Sequence, residues 1–172
     1  GRFCGGQGGR VPGWMRQRLG LLLGDDVNLY AYHLPLDAHP ELGNNAQLGL
    51  RLGLVAHEGS AGRFGEQELG FLGAPEDGAS FVDGKQLAAH VERALKRPVT
   101  LVDGGQQQPI KNIAWCSGGA QGYFEAAIAA GADAFITGEI SEPQAHLARE
   151  LGGGFSARGH PPPRRYGPPG VA

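Results

Sequence analysis

A chain of 172 residues with a net charge of −2 can bury one sizeable core, so one domain, or one and a half, is expected. Its basic residues are scattered apart from Arg164-Arg165, which leaves no electrostatic footprint for nucleic acid, and apolar runs such as Leu21-Leu22-Leu23 are far too short to span a bilayer. The two cysteines, Cys4 and Cys116, form no C-x-x-C pair; this argues against a thiolate zinc site and a disulfide scaffold and fits a reducing cytoplasm.

Glycine, at 31 residues, gathers with proline and arginine at both ends, while the middle reads as ordinary globular sequence. Residues 1–13 show no periodicity and are expected to form a disordered or aberrant segment. Trp14 to Leu23 is predicted helical, with Trp14, Arg18 and Leu22 along one side, weakened at Gly20 and ended by Gly24. Val27 to Tyr32, V-N-L-Y-A-Y, is rich in branched and aromatic residues and reads as a buried strand.

That strand leads into H-L-P-L-D-A-H-P-E-L-G-N-N-A-Q, His33 to Gln47, which puts His33, Asp37 and His39 inside seven residues. Pro35 and Pro40 keep the segment out of regular helix. Asn44-Asn45 then opens a helical pattern through Leu48, Leu50 and Leu52. A strand, a short loop bearing side-chain donors and a helix is where α/β proteins place their chemistry. Imidazole and carboxylate together suit a divalent metal of the zinc, iron, manganese or nickel kind. The same spacing also suits a turn network in which Asp37 accepts backbone N–H groups.

His57 to Gly78 is turn-rich, with one or two short strands expected over Phe64 to Leu72. Lys85 to Lys96 is an amphipathic helix with Leu87, Ala88, Val91 and Leu95 on one face, stopped by Pro98. Strands are expected at Val99–Val102, Ile110–Cys116 and Ala134–Thr137, and helices at Tyr123–Ala130 and from Ser141 to about Leu151, the last opened by a Ser141/Gln144 capping box. Strand and helix alternating in series predict an α/β fold with a mixed, largely parallel sheet flanked by helices. The turn S-G-G-A-Q-G, Ser117 to Gly122, aims backbone N–H groups above a helix N-terminus. That suits phosphate or carboxylate, though a tight connection needing small residues reads the same way. Ser117, Gly118, Gly119 and Glu139, which follows a strand, are the candidate substrate residues. His146, inside a helix, fits a packing or surface histidine.

Two long stretches, D-D-V-N-L-Y-A-Y-H-L-P-L-D-A-H-P-E-L-G-N-N-A-Q-L and A-W-C-S-G-G-A-Q-G-Y-F-E-A-A-I-A-A-G-A-D-A-F-I-T-G-E-I-S-E, resemble the Nif-three-like family of dinuclear metal-centre proteins, the GTP cyclohydrolase 1 type 2 homologues. The resemblance runs in order from about Trp14 to about Leu151. It implies a Nif-three-like α/β domain over 14–153, incomplete at both ends, followed by an aberrant Gly/Pro/Arg-rich tail over 154–172. It further implies a cytoplasmic homo-hexamer with two divalent metals per subunit. By the family pattern Asp37 and His160 are metal ligands and His33 lies close to the centre. The family's His-His pair has no match here, G-H-P-P-P-R-R-Y-G stands where the family reads G-H-H-A-T-E-R-Y-G, and Arg164 replaces a bridging Glu. Arginine stays protonated and repels a cation, so two metals are not expected in this chain. Out-of-frame reading of a GC-rich gene would account for both ends.

Three functions follow from the resemblance: a metal-dependent hydrolase acting on a nucleotide-like heterocycle, a non-catalytic metal- or nucleotide-binding regulator, and a degenerate structural subunit that has lost the centre. No nucleic-acid or membrane partner is expected.

Overall fold

The computed structural model describes residues 11, 13–30, 39–65, 68–105, 108–117, 123–138, 142–151 and 154–158, with the backbone alone at 142–144, 151 and 154–158. The chain divides into two units, Gly1–Leu36 and Asp37–Ala172.

In the first unit the predicted helix forms as α1, Gly13–Gly24. The Arg18 guanidinium lies 5.1 Å from the centroid of the Trp14 ring, one turn away, a cation–π pair at helical spacing. The N–H of Val27 closes back on the Leu22 carbonyl at 2.8 Å and Asp26 turns left-handed at φ 50. The strand expected from Val27 does not appear over residues 27–30, and Val27, Leu29 and Tyr30 are exposed. Branched and aromatic content favours a strand only where a neighbour supplies the ladder; none of the described strands pairs with 27–30. Residues 31 and 32 lie outside the described residues.

The second unit runs α2 (Asn44–Leu52), β1 (Leu54–Ala56), a 3-10 turn (Gly59–Gly62), β2 (Arg63–Phe64), β3 (Gly70–Pro75), α3 (Gly84–Leu95), β4 (Val99–Val102), β5 (Ile113–Cys116), α4 (Phe124–Ala129), β6 (Ala134–Thr137), α5 (Glu142–Leu151) and β7 (Gly154–Arg158). Helix α2 ends on Gly53 in the left-handed region at φ 64, where glycine avoids the Cβ penalty. It buries Leu48 and Leu52, four residues apart, while Leu50 is 68% exposed. Alternate leucines cannot share one face of a helix. Helix α3 buries the predicted Leu87, Ala88, Val91 and Leu95. Asp83 caps it, accepting the Gln86 N–H at 2.8 Å.

One sheet of seven strands, among the described residues, has the order β1-β3-β5-β6-β7-β4, with β2 also paired to β3. The mixed α/β architecture is as expected, with helices on both faces of this sheet. Its parallel character is narrower than expected. Only β5–β6 and β6–β7 are parallel, whereas β1–β3, β2–β3, β3–β5 and β4–β7 are antiparallel. Helical crossovers α4 and α5 join the parallel pairs, whereas β1 and β2 run the same way, one after the other along β3, and the chain reverses between β2 and β3 through a short connection. Strand β5 begins later than expected because the Asp133 carboxylate takes the N–H groups of Lys111 and Asn112 at 2.9 and 2.8 Å. Ile110 instead makes an isolated bridge to Phe81. Residues 154–158, assigned by composition to the tail, form β7, and its backbone pairs with both β6 and β4.

Side chains alternate across the sheet. Phe64, Leu72, Ala114, Cys116 and Phe135 pack with Phe124, Ala127 and Ala148. Phe71, Ile113, Trp115, Ala134 and Ile136 pack with Leu48, Leu52, Leu87, Val91 and Leu95. Among the described residues no helix is long and apolar enough to cross a membrane.

Candidate functional site

The parallel strands β5, β6 and β7 end side by side. Cys116 is in register with Thr137, and Thr137 with Ala157. Covalent connectivity alone then fixes which segment departs from each strand end. The Ser117–Gly122 turn leaves β5, Glu139 stands two residues beyond β6, and His160 two residues beyond β7. Three stretches singled out in the sequence therefore depart from one edge of the sheet, the carboxyl edge at which open α/β sheets bind ligands. Gly118, Gly119, Glu139 and His160 themselves lie outside the described residues, as do His33 and Asp37; Ser117 is described.

At that edge sits a residue that the sequence did not mark as functional. Asn45, in the first turn of α2, is 1% exposed. Its Oδ1 accepts the Ser117 N–H at 2.5 Å and its Nδ2 donates to the Leu69 carbonyl at 2.8 Å. Its own carbonyl accepts the Trp115 Nε1–H at 2.9 Å. Nδ2 also approaches Cys116 Sγ at 3.6 Å. A buried amide is costly unless its polar atoms are paired, and here the pairing welds α2 to the end of β5. The consequence for anion binding is direct: the first N–H of the glycine-rich turn is already engaged, so Ser117 does not offer it to a phosphate.

His39 is exposed, and its Nδ1 accepts the N–H groups of Glu41 and Leu42 at 3.2 and 3.1 Å. This turn network is built on His39, whereas the acceptor expected from the spacing, Asp37, lies outside the described residues; it leaves only Nε2 of this ring for other partners. Among the described residues no three His, Cys, Asp or Glu side chains gather into a metal-sized cluster. His57 and His90 have local partners, Asn112 Oδ1 at 3.2 Å and the Leu52 carbonyl at 2.8 Å. His146, inside α5, is exposed.

Thr137 closes β6 with its hydroxyl buried and without a hydrogen-bond partner among the described residues. It lies on the face shared with its register neighbour Cys116. An unpaired buried hydroxyl destabilises the fold, and a shape-matched apolar replacement removes that cost. Thr137→Val is therefore expected to raise stability by about 1 kcal/mol, measured by urea denaturation. A loss of similar size would show that the hydroxyl is engaged.

Asn45 was legible only as half of an Asn-Asn helix opener, and Thr137 only as the last residue of a strand. Their roles depend on Ser117 and Leu69 in one case and on burial in the other.

The chain matches the model for Duf34/NIF3 (NGG1p interacting factor 3) over residues 8–163. It is 48% identical over 157 residues to a GTP cyclohydrolase 1 type 2 homolog of Neisseria meningitidis serogroup B, covering 91% of this chain and 60% of that protein. It is 49% identical over 170 residues to a GTP cyclohydrolase 1 type 2 homolog of Pseudomonas aeruginosa, covering 97% and 64%. The solved structure of protein ybgI, of unknown function, superposes with a TM-score of 0.68 at 41% identity, over 91% of this chain and 60% of that one. The chain thus spans about three fifths of the length of the curated relatives it matches.

Proposed function

The chain belongs to the Duf34/NIF3 family, and from that membership we propose that it binds one divalent cation through Asp37, His160 and His33 and serves hydrolysis of a nucleotide-like heterocycle. The observation that carries the reading is the shared edge: the segments bearing Ser117, Glu139 and His160 leave three neighbouring strands whose ends are in register. One carboxylate and two imidazoles form a donor set suited to zinc, iron, manganese or nickel. Two ions would need a bridging carboxylate, and Arg164 stands at the family's bridging position.

Such an ion supplies Lewis acidity to a substrate oxygen and eases deprotonation of water. The chain's own groups would do the rest. Glu139 would take the proton released as water adds to an electrophilic ring carbon. The N–H groups beyond Ser117 would receive the nucleotide phosphate, since the Ser117 N–H is held by Asn45. Family membership extends the proposal to a cytoplasmic homo-hexamer.

Elemental analysis of the purified full chain tests the reading. About one metal per chain is expected, falling by at least about tenfold in occupancy at fixed metal concentration in Asp37→Asn or His160→Gln, the scale on which loss of site residues weakens metal affinity. Guanosine triphosphate turnover with added manganese or zinc then separates hydrolase from binder. Absence of metal from the unaltered chain would instead favour the structural subunit, the reading that Arg164 at the bridging position supports.

A further inference from the structure

At the amino edge of β5 the chain encloses a cavity of about 370 Å³. Strand β3 brings its end there: Gly73 pairs with Ile113, the first residue of β5, and Pro75 lies two residues further on. The last residues of α2, Leu52 and Gly53, and the middle of α3 supply the other walls. A volume of this size is within the range of small-molecule sites, about 300–1,000 Å³.

Two rings in the wall are held by bonds of their own. Phe81 and His90 have centroids 5.2 Å apart and planes 55° from parallel. The Phe81 backbone exchanges hydrogen bonds with the buried Ile110 at 3.0 and 2.8 Å. His90 Nε2 lies 2.8 Å from the Leu52 carbonyl oxygen; a carbonyl only accepts, so Nε2 carries a proton and donates. The rim is tied as well. The Glu76 N–H donates to the Gly53 carbonyl at 2.9 Å, the Gly78 N–H to the Pro75 carbonyl at 3.0 Å, and the Ala79 N–H to Asp77 Oδ1 at 3.0 Å. Walls set before a ligand arrives reduce the ordering cost of binding.

The charge around the cavity is one-sided. Glu76 and Asp77 place two carboxylates on the rim, α2 contributes its C-terminal end, which carries partial negative charge, and no Lys or Arg lines the cavity among the described residues. Such a rim repels an anion and gives a neutral molecule no Coulombic gain. A cation is attracted by both carboxylates and by the face of Phe81, while Leu52, Pro75 and Phe81 accept an apolar body.

We propose that this cavity binds a small organic cation, an ammonium group on a compact apolar body, with the ammonium at the Glu76 and Asp77 carboxylates and the body against Phe81 and Pro75. None of these residues lies in the segments that leave the carboxyl edge, so the site stands or falls apart from the hydrolase reading.

The test titrates 2-phenylethylamine and its neutral counterpart 2-phenylethanol into the full chain at low ionic strength, followed by heteronuclear NMR. The amine is expected to give saturable shifts at the Phe81 and His90 amides and to bind at least about fivefold more tightly than the alcohol. Glu76→Gln and Asp77→Asn each weaken the amine by about two- to fivefold and leave the alcohol unchanged. Both side chains are exposed, and Asn at 77 keeps an acceptor for the Ala79 N–H, so both variants are expected to fold, which a urea curve checks. Should one of them not fold, the other reads the same effect. No saturation at millimolar amine, equal affinity for amine and alcohol, shifts centred on other residues, or unchanged amine affinity in the folded variants overturns the proposal.

Discussion

Trp115→Ala is expected to cost the fold about 3–5 kcal/mol, read as a fall in the urea midpoint with little change in slope. Trp115 is 1% exposed at the centre of β5. Its ring stacks on Phe71, centroids 5.6 Å apart and planes 22° from parallel. The other wall is α2 at Gly49, where an added Cβ would come within 2.8 Å of the indole Cζ2. Removal of the ring therefore opens a cavity between a sheet strand and a helix whose positions are fixed elsewhere, so collapse is limited. It also strips the Asn45 carbonyl of its indole partner. Trp115→Phe removes the indole N–H while keeping a ring on Phe71, with an expected cost of about 1–3 kcal/mol for the lost hydrogen bond and the reduced ring volume. If both variants cost the same, the hydrogen bond rather than the packing holds α2 to β5.

Gly73→Ala is the second large effect, expected to cost about 3 kcal/mol, the upper part of the range for overpacking. Gly73 pairs with Ala56 on one side and Ile113 on the other. A Cβ there would stand 1.9 Å from the Val55 carbonyl oxygen and 2.7 Å from Ala56 Cα. Both are backbone atoms of β1, so no rotamer change relieves the collision and the strand itself has to shift. Amide exchange should locate the damage: protection at β1 falls, while β5 and β6 keep theirs. Loss of protection throughout the sheet would show instead that β1 is needed for the whole unit to fold.

Much of the fold was legible because its signals are local. Helix α3 carried its own face, with Leu87, Ala88, Val91 and Leu95 at helical spacing, and all four are buried; its Asp83 cap did not show in the spacing. Strands β4 and β6 have the predicted ends. What was not legible depends on distant partners. Val27 to Tyr30 has strand composition yet takes no strand conformation. Conversely, Gly154 to Arg158 has tail-like surroundings and is a strand, because β6 and β4 flank it on both sides. Strand direction was inferred from strand–helix alternation, which holds for β5 to β7 and fails for β3–β5 and β4–β7, whose partners are not joined by a single helical crossover.

The candidate site divides in the same way. That Ser117 and Glu139 follow strands was written in the sequence; that His160 follows one was not, since β7 falls in the stretch assigned to the tail. Nor was the role of Asn45, since its side chain acts on Leu69 and Ser117, remote in the chain. His39 stood with His33 and Asp37 inside seven residues, and its Nδ1 serves a turn.

The place of β7 between β6 and β4 also bears on how this protein is made. Strand β4 has β7 as its ladder partner, and β7 is synthesised after two further strands and two helices have emerged. During translation β4 therefore waits for its ladder partner, and β6 and β4 stay unlinked until β7 enters between them. Premature termination by the ribosome within the preceding helix would leave β4 without its described ladder and β6 as an open edge, a ready surface for quality-control proteases and for association with other incomplete chains.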